Sequence, residues 1–217
     1  MRRSCWFPIL MCLVVLGVSG CVGAVDRAEF EQRIRARGGG LVSALPRDAI
    51  AALAQRLGTA DLQANVILFT APDSANFRLV LNNQPDQVTR FLAGRGDLAT
   101  REPTVRLRIR PPEHPRELDD YSFTLGNLSS AQPVRVSALD DIAGESFPLS
   151  EVTGLSNLES IVDTARSRSG LSDGQVNAIV VSRFAGEIRI VTNVVSARTE
   201  MLAEFDRTGA LLRIQQV

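Results

Sequence analysis

Apolar positions recur along this chain at two spacings, and the alternation between them lays out a series of helices and strands. From Ser43 to Leu57 the residues Ile50, Leu53, Ala54 and Leu57 fall on one helical face, Pro46 sits in the first turn and Gly58 follows the last, which predicts an amphipathic helix. Asp26 to Arg37 has the same character on a shorter scale. Asp26 and Glu29 stand at capping-box spacing, Phe30 and Ile34 are four apart, and Gly38-Gly39-Gly40 stops the pattern. The period then drops to two. Val66 to Thr70 and Phe77 to Leu81, separated by Pro72-Asp73-Ser74, predict a hairpin. Residues 82–103 mix turn-forming residues with an apolar island at Val88, Phe91 and Leu92, so they predict an insertion with one helical turn. Thr104 to Arg110 alternates strictly: Val105, Leu107 and Ile109 share one face, Arg106, Arg108 and Arg110 the other. Pro111-Pro112-Glu113-His114-Pro115 breaks this strand, and Asp120 to Leu125 with Pro133 to Val136, joined through Gly126-Asn127, completes a first sheet.

Residues 138–154 are acidic and turn-rich, with scattered apolar anchors at Leu139, Ile142, Phe147 and Leu149, and predict a linker. Beyond it Ser156 and Glu159 form a second capping box, and Leu158, Ile161, Val162 and Ala165 keep helical spacing up to Gly170. Val176–Phe184 and Glu187–Val195 predict a hairpin through Ala185-Gly186, and Thr199–Phe205 with Ala210–Gln215 a second one through Asp206-Arg207-Thr208-Gly209. The halves therefore run in the same order. The expected fold is α+β, with two tandem units at 43–137 and 155–217, each one helix packed on an antiparallel sheet of three to four strands.

The first 20 residues are of another kind. Met1-Arg2-Arg3 precedes an apolar run from Cys5 to Val18, too short for a comfortable membrane span, and Ser19-Gly20-Cys21 closes it, which is the layout of an export signal. Val18-Ser19-Gly20-Cys21 resembles the lipobox of bacterial lipoproteins. That resemblance implies cleavage between Gly20 and Cys21 and acylation of the Cys21 sulfur, leaving residues 21–42 as a lipidated stalk and short helix. A thioether diacylglycerol brings two chains to one residue, which is what stable anchoring takes. Downstream of Cys21 there is no cysteine to pair with it.

Composition sharpens this picture once the signal is set aside. The whole chain balances 24 basic against 24 acidic residues, but the first 20 hold two arginines and no acid, so 22 basic and 24 acidic groups remain. That balance argues against nucleic acid as a partner. Every basic residue is arginine. The absence of lysine removes Schiff-base chemistry, a Walker-type phosphate lysine and a Ser–Lys dyad. The one histidine, His114, lies in a proline-flanked connection ill suited to holding a catalytic imidazole, and one His without a spare Cys does not make a zinc site of usual ligand type. Asp140, Asp141 and Glu145, or Asp119 and Asp120, lack the alternating spacing of a calcium loop and are expected to be solvated charge. Arg95-Gly96-Asp97 and Asn127-Leu128-Ser129 match short motifs that occur often by chance. No metal, cofactor or catalytic group is expected, and the chain is expected not to be an enzyme. The surface singled out is the stripe Arg106, Arg108 and Arg110. Guanidinium groups about 7 Å apart on one sheet face suit carboxylates or phosphates, so an anionic partner is expected there.

The order of elements, and the closing hairpin Glu204-Phe205-Asp206-Arg207-Thr208-Gly209-Ala210-Leu211-Leu212 in particular, resembles PepSY-like small α+β modules of bacterial envelope proteins. With its lipobox, Arg37-Gly38-Gly39-Gly40, the Arg116-Glu117-Leu118-Asp119 stretch and the acidic linker, the chain is similar to a group of uncharacterised actinobacterial lipoproteins. The resemblance implies a protein held by lipid on the extracytoplasmic face of the cell membrane. Its expected role is that of a non-catalytic binding module for an envelope protein, a cell-wall polymer or lipid. The alternative is a carrier of lipid or another hydrophobic ligand, since Val176–Val181 and Ile188–Val195 are apolar on both faces and would permit an apolar cavity between helix and sheet.

Overall fold

In the computed structural model, residues 40–72, 84–93 and 100–217 are described. The signal segment, Cys21, the 26–37 pattern, Phe77–Leu81 and Arg95-Gly96-Asp97 lie outside them. Helix α1 (Ala44–Leu57) forms where the sequence places it, with Pro46, Ala49 and Leu53 buried, and ends at Gly58, whose N–H donates to the Ala54 carbonyl. The remaining elements are β1 (Gln63–Thr70), α2 (Asp86–Ala93), β2 (Thr104–Arg110), β3 (Asp119–Thr124), β4 (Asn127–Leu128), β5 (Gln132–Pro133), α3 (Ile142–Glu145), β6 (Phe147–Pro148), α4 (Leu158–Ser169), β7 (Gln175–Phe184), β8 (Glu187–Val195), β9 (Glu200–Asp206) and β10 (Leu211–Gln216).

All ten strands among the described residues belong to one antiparallel sheet, ordered β10-β9-β8-β7-β1-β2-β3-β4, with β5 on β3 and β6 on β1. Strands β1 and β7 meet at its centre, Val66 opposite Ser182 through Thr70 opposite Ala178, and from there each half runs outward as a meander. This join explains the run of Val66 to Phe69: a central strand is buried on both faces and reads as continuous rather than alternating apolar sequence. It also overturns the expected hairpin of Val66–Thr70 with Phe77–Leu81, because both edges of β1 are already taken, by β2 over Val66–Thr70 and by β7 over the same residues. The β3–β4 and β7–β8 hairpins turn through Leu125-Gly126 and Ala185-Gly186, with all four residues at positive φ. Such a pair of left-handed residues matches the twist of the flanking strands, and glycine takes the second place without steric cost.

Helices α1 and α4 cover one face. Their Leu53, Ile161 and Val162 pack with Phe69, Leu107, Ile190 and Phe205 into the main core, every one at most 2% exposed. The layer that a carrier would need hollow is thus filled by side chains. The segment 138–154 is not a free linker. Phe147 and Pro148 pair with Ala64 and Gln63 at the end of β1, and Phe147, Leu149, Val152 and Leu155 enter the main core. Its apolar anchors, spaced too irregularly for helix or strand, mark a chain that winds along the core edge through two 3₁₀ turns, Leu149–Glu151 and Thr153–Asn157.

The second capping box is also rebuilt. Ser156 donates to the Thr153 carbonyl, and neither Ser156 nor Asn157 caps α4. The cap comes from the other half of the chain. Ser43 Oγ accepts from the Leu158 N–H at 2.8 Å, while the Glu159 carboxylate accepts from the Ser43 N–H at 2.9 Å and from the Ser43 hydroxyl. A reciprocal pair of bonds that normally joins residues three apart here joins two helix starts over a hundred residues apart.

Candidate binding cleft

On the second sheet face the insertion folds back as α2, a full two turns rather than the single turn expected. Val88 and Phe91, one turn apart, are fully buried against Val66, Leu68, Val180 and Val191. This cover changes the arginine stripe. Arg106 is 8% exposed and Arg108 5%, so the solvent-facing row expected from the alternation is not present; Arg110, at the strand end, is half-buried. A charge so far from water needs a partner. Arg106 Nη1 donates to Thr70 Oγ1 at 3.1 Å. Arg108 forms a two-pronged pair with Asp120 on the neighbouring strand, Nε to Oδ1 and Nη2 to Oδ2, both 2.9 Å, and its guanidinium lies 5.0 Å from the Phe91 ring centre. The register makes this possible: Arg108 and Asp120 are directly opposite across β2 and β3.

Beside this pair opens a cleft of about 570 Å³ lined by Asn65, Arg90, Arg108, Asp120, Arg135 and Asp140 together with apolar and amide side chains from Leu118 to Val136. Arg90 projects into it from α2. Its Nη2 donates to both oxygens of Glu145 at 2.7 Å, and its Nη1 meets Asp140 at 3.6 Å, longer than a hydrogen bond. Desolvation alone would lower the Arg90 pKa, but the hydrogen bond and charge of Glu145, with Asp140 and Asp86 behind it, raise it instead. Asn65 Nδ2 also donates to Glu145, at 3.3 Å. Arg135 stands exposed on the rim. Among the described residues the lining contains amide, guanidinium and carboxylate groups and no Ser, Cys or His. Such a wall can hold an oxygen-bearing anionic or dipolar group through Arg90 Nη1 and Arg135, with Asp140 yielding its long contact to the incoming group.

Of the other sequence candidates, Asp120 and Asp140 line this cleft and Glu145 holds its Arg90, while His114, Asp119, Asp141 and Asn127 do not line it. His114 is exposed in the β2–β3 connection, its Nδ1 4.0 Å from Glu117. Four of the five acids weighed for calcium are engaged by N–H donors: Asp140 by the Ser137 amide, Asp141 by the Gly144 amide, Glu145 by Arg90 and Asp120 by Arg108. Burial, then the charges of Glu117 and Asp120, raises the Asp119 pKa. Among the described residues no three His, Cys, Asp or Glu side chains gather as a metal site, and no helix is long and apolar enough to cross a membrane. Asn127 is exposed in the β3–β4 turn, where its side chain donates to the Leu125 carbonyl. Arg90 and Asn65 are not singled out by sequence, and Glu145 is read there only as solvated charge. The signal available was an arginine set between Val88 and Phe91 in the apolar island, but its partners Asp140 and Glu145 lie 50 and 55 positions away.

Comparison with protein-family models finds no match, and neither does comparison with curated proteins. Among solved structures, a putative lipoprotein from Clostridium difficile 630 shares the fold. The two are 9% identical with a TM-score of 0.53, over 81% of this chain and 95% of that one. At that identity the likeness is one of fold.

Proposed function

We propose that this chain is a lipid-anchored lipoprotein of the bacterial cell envelope whose α+β domain is a non-catalytic binding module. The observation that carries the proposal is Val18-Ser19-Gly20-Cys21 at the close of a short apolar run behind Arg2-Arg3. A fold shared with a protein named as a putative lipoprotein supports it. Cys21 is the anchor, cleavage falls between Gly20 and Cys21, and the domain stands on the extracytoplasmic face of the membrane. The finer resemblance to PepSY-like modules and to actinobacterial lipoproteins belongs to this proposal and rests on the Glu204–Leu212 hairpin. So does the origin of the halves as tandem units, which rests on their matching element order.

The cleft of Arg90 and Arg135 takes over the role first given to the Arg106, Arg108 and Arg110 stripe, and its partner is an envelope component bearing anionic groups. The filled helix–sheet core supports such a module over a carrier. Replacing the sulfur tests the anchor: Cys21→Ala moves the protein from the membrane pellet to the soluble fraction, and native mass spectrometry of the processed wild type shows a diacylglyceryl adduct. Unchanged pelleting together with an unmodified mass would refute the anchor.

A further inference from the structure

We infer that the domain rests on the bilayer by one particular face, the apolar groove between α1 and the β3–β4 turn, and that Leu125 at its edge dips into the lipid; this rests on the proposed anchoring at Cys21. The groove, about 740 Å³, runs along Ala44, Leu45, Ala51 and Ala52 of α1 and is closed by Phe123 and Leu125. Leu125 is 70% exposed. It occupies a turn position at φ 51 that usually goes to Asn, Asp or Gly, so in water it combines an unfavourable backbone with an unburied side chain. Contact with acyl chains gives that side chain the burial that the fold withholds.

Two further observations select a membrane as the occupant. Gly40, where the described chain begins, itself lines the groove, and only 19 positions separate it from Cys21. Only those positions lie between the anchor and the groove, so the tether enters the domain at this face. The exposed cations beside the groove are also placed for anionic headgroups. Arg56 on α1 reaches the Ser129 carbonyl next to β4, and Arg101 flanks Thr124, the residue before Leu125. Asp48, the acid within the groove, is engaged by Arg47 at 2.9 Å.

The processed chain offers a clean assay, because its one tryptophan, Trp6, is removed with the signal. Single reporters Leu125→Trp, Ala51→Trp and Leu139→Trp are introduced into the full chain, purified from membranes with the anchor attached, and reconstituted into phosphatidylglycerol–phosphatidylcholine vesicles containing a brominated lipid. Leu139 is 94% exposed and sits beside Asp140, which lines the Arg90 cleft at the opposite end of β3 from Leu125. We expect Leu125→Trp and Ala51→Trp to lose most of their emission relative to vesicles without bromine, and Leu139→Trp to keep its own. Retained emission at both groove positions, or equal quenching of all three, overturns the docking face while leaving the anchor intact. Absence of the protein from the membrane fraction overturns the anchor, and this inference with it.

Discussion

Removing the Asp120 carboxylate leaves Arg108 as a buried guanidinium without its counter-charge, and the cost follows from the geometry. The Arg108 side chain is 6% exposed and that of Asp120 18%, with two bonds of 2.9 Å between them. Breaking a buried pair from one side costs about 3–5 kcal/mol. Asp120 borders the open cleft, so water can reach the space it vacates, and the Phe91 face still attracts the cation at 5.0 Å. Asp120→Ala is therefore expected at the lower end, about 3 kcal/mol. With a urea slope of about 2–3 kcal/mol per molar, the unfolding midpoint read by circular dichroism falls by roughly 1 M at unchanged slope. The double variant Arg108→Met with Asp120→Leu removes both charges and keeps the bulk, so it stays within about 1 kcal/mol of wild type. A loss below about 1 kcal/mol for Asp120→Ala would show the pair to be solvated, and a double variant as unstable as the single one would refute the charge argument altogether.

Three other perturbations probe the frame around the site. Ser43→Ala removes the hydroxyl that caps Leu158 and meets Glu159, at an expected cost of about 1–2 kcal/mol in the same urea assay, while Ser156→Ala, outside the cap, costs less than half of that. At Gly154 a Cβ would lie 2.7 Å from the Gly209 nitrogen, backbone against backbone, so Gly154→Ala lowers stability by about 2 kcal/mol, measured as the drop in thermal midpoint. Asp206 combines partial desolvation, which raises its pKa, with bonds from the Thr208 hydroxyl and the Thr208, Gly209 and Ala210 amides that together bring it below the usual aspartate value. A depressed folded pKa contributes stability above the unfolded value that is lost as pH falls through the folded one. The difference between wild type and Asp206→Asn in urea midpoint therefore shrinks from about pH 6 to about pH 3, and a constant difference would refute the titration.

Local pattern alone determined α1, α4 and most of the strands. Residues three and four apart that bury together, such as Leu158, Ile161, Val162 and Ala165, and the alternation of Val105, Leu107 and Ile109 are properties of neighbours in the chain. The lipobox-like tetrapeptide is local in the same sense. What lay beyond the sequence was every relation between distant segments. Alternation puts Arg106 and Arg108 on one face but does not say what covers it, and that was decided by the insertion folding back as α2 over the sheet. Glu145, read as solvated linker charge, became the anchor of Arg90 because β6 pairs with β1 and draws α3 to the same end of the sheet. The Ser43–Glu159 cap and the β1–β7 join belong to the same category. Spacing along the chain reports which side a residue faces; only packing brings a second side chain to meet it, and a buried charge takes its chemistry from that second group.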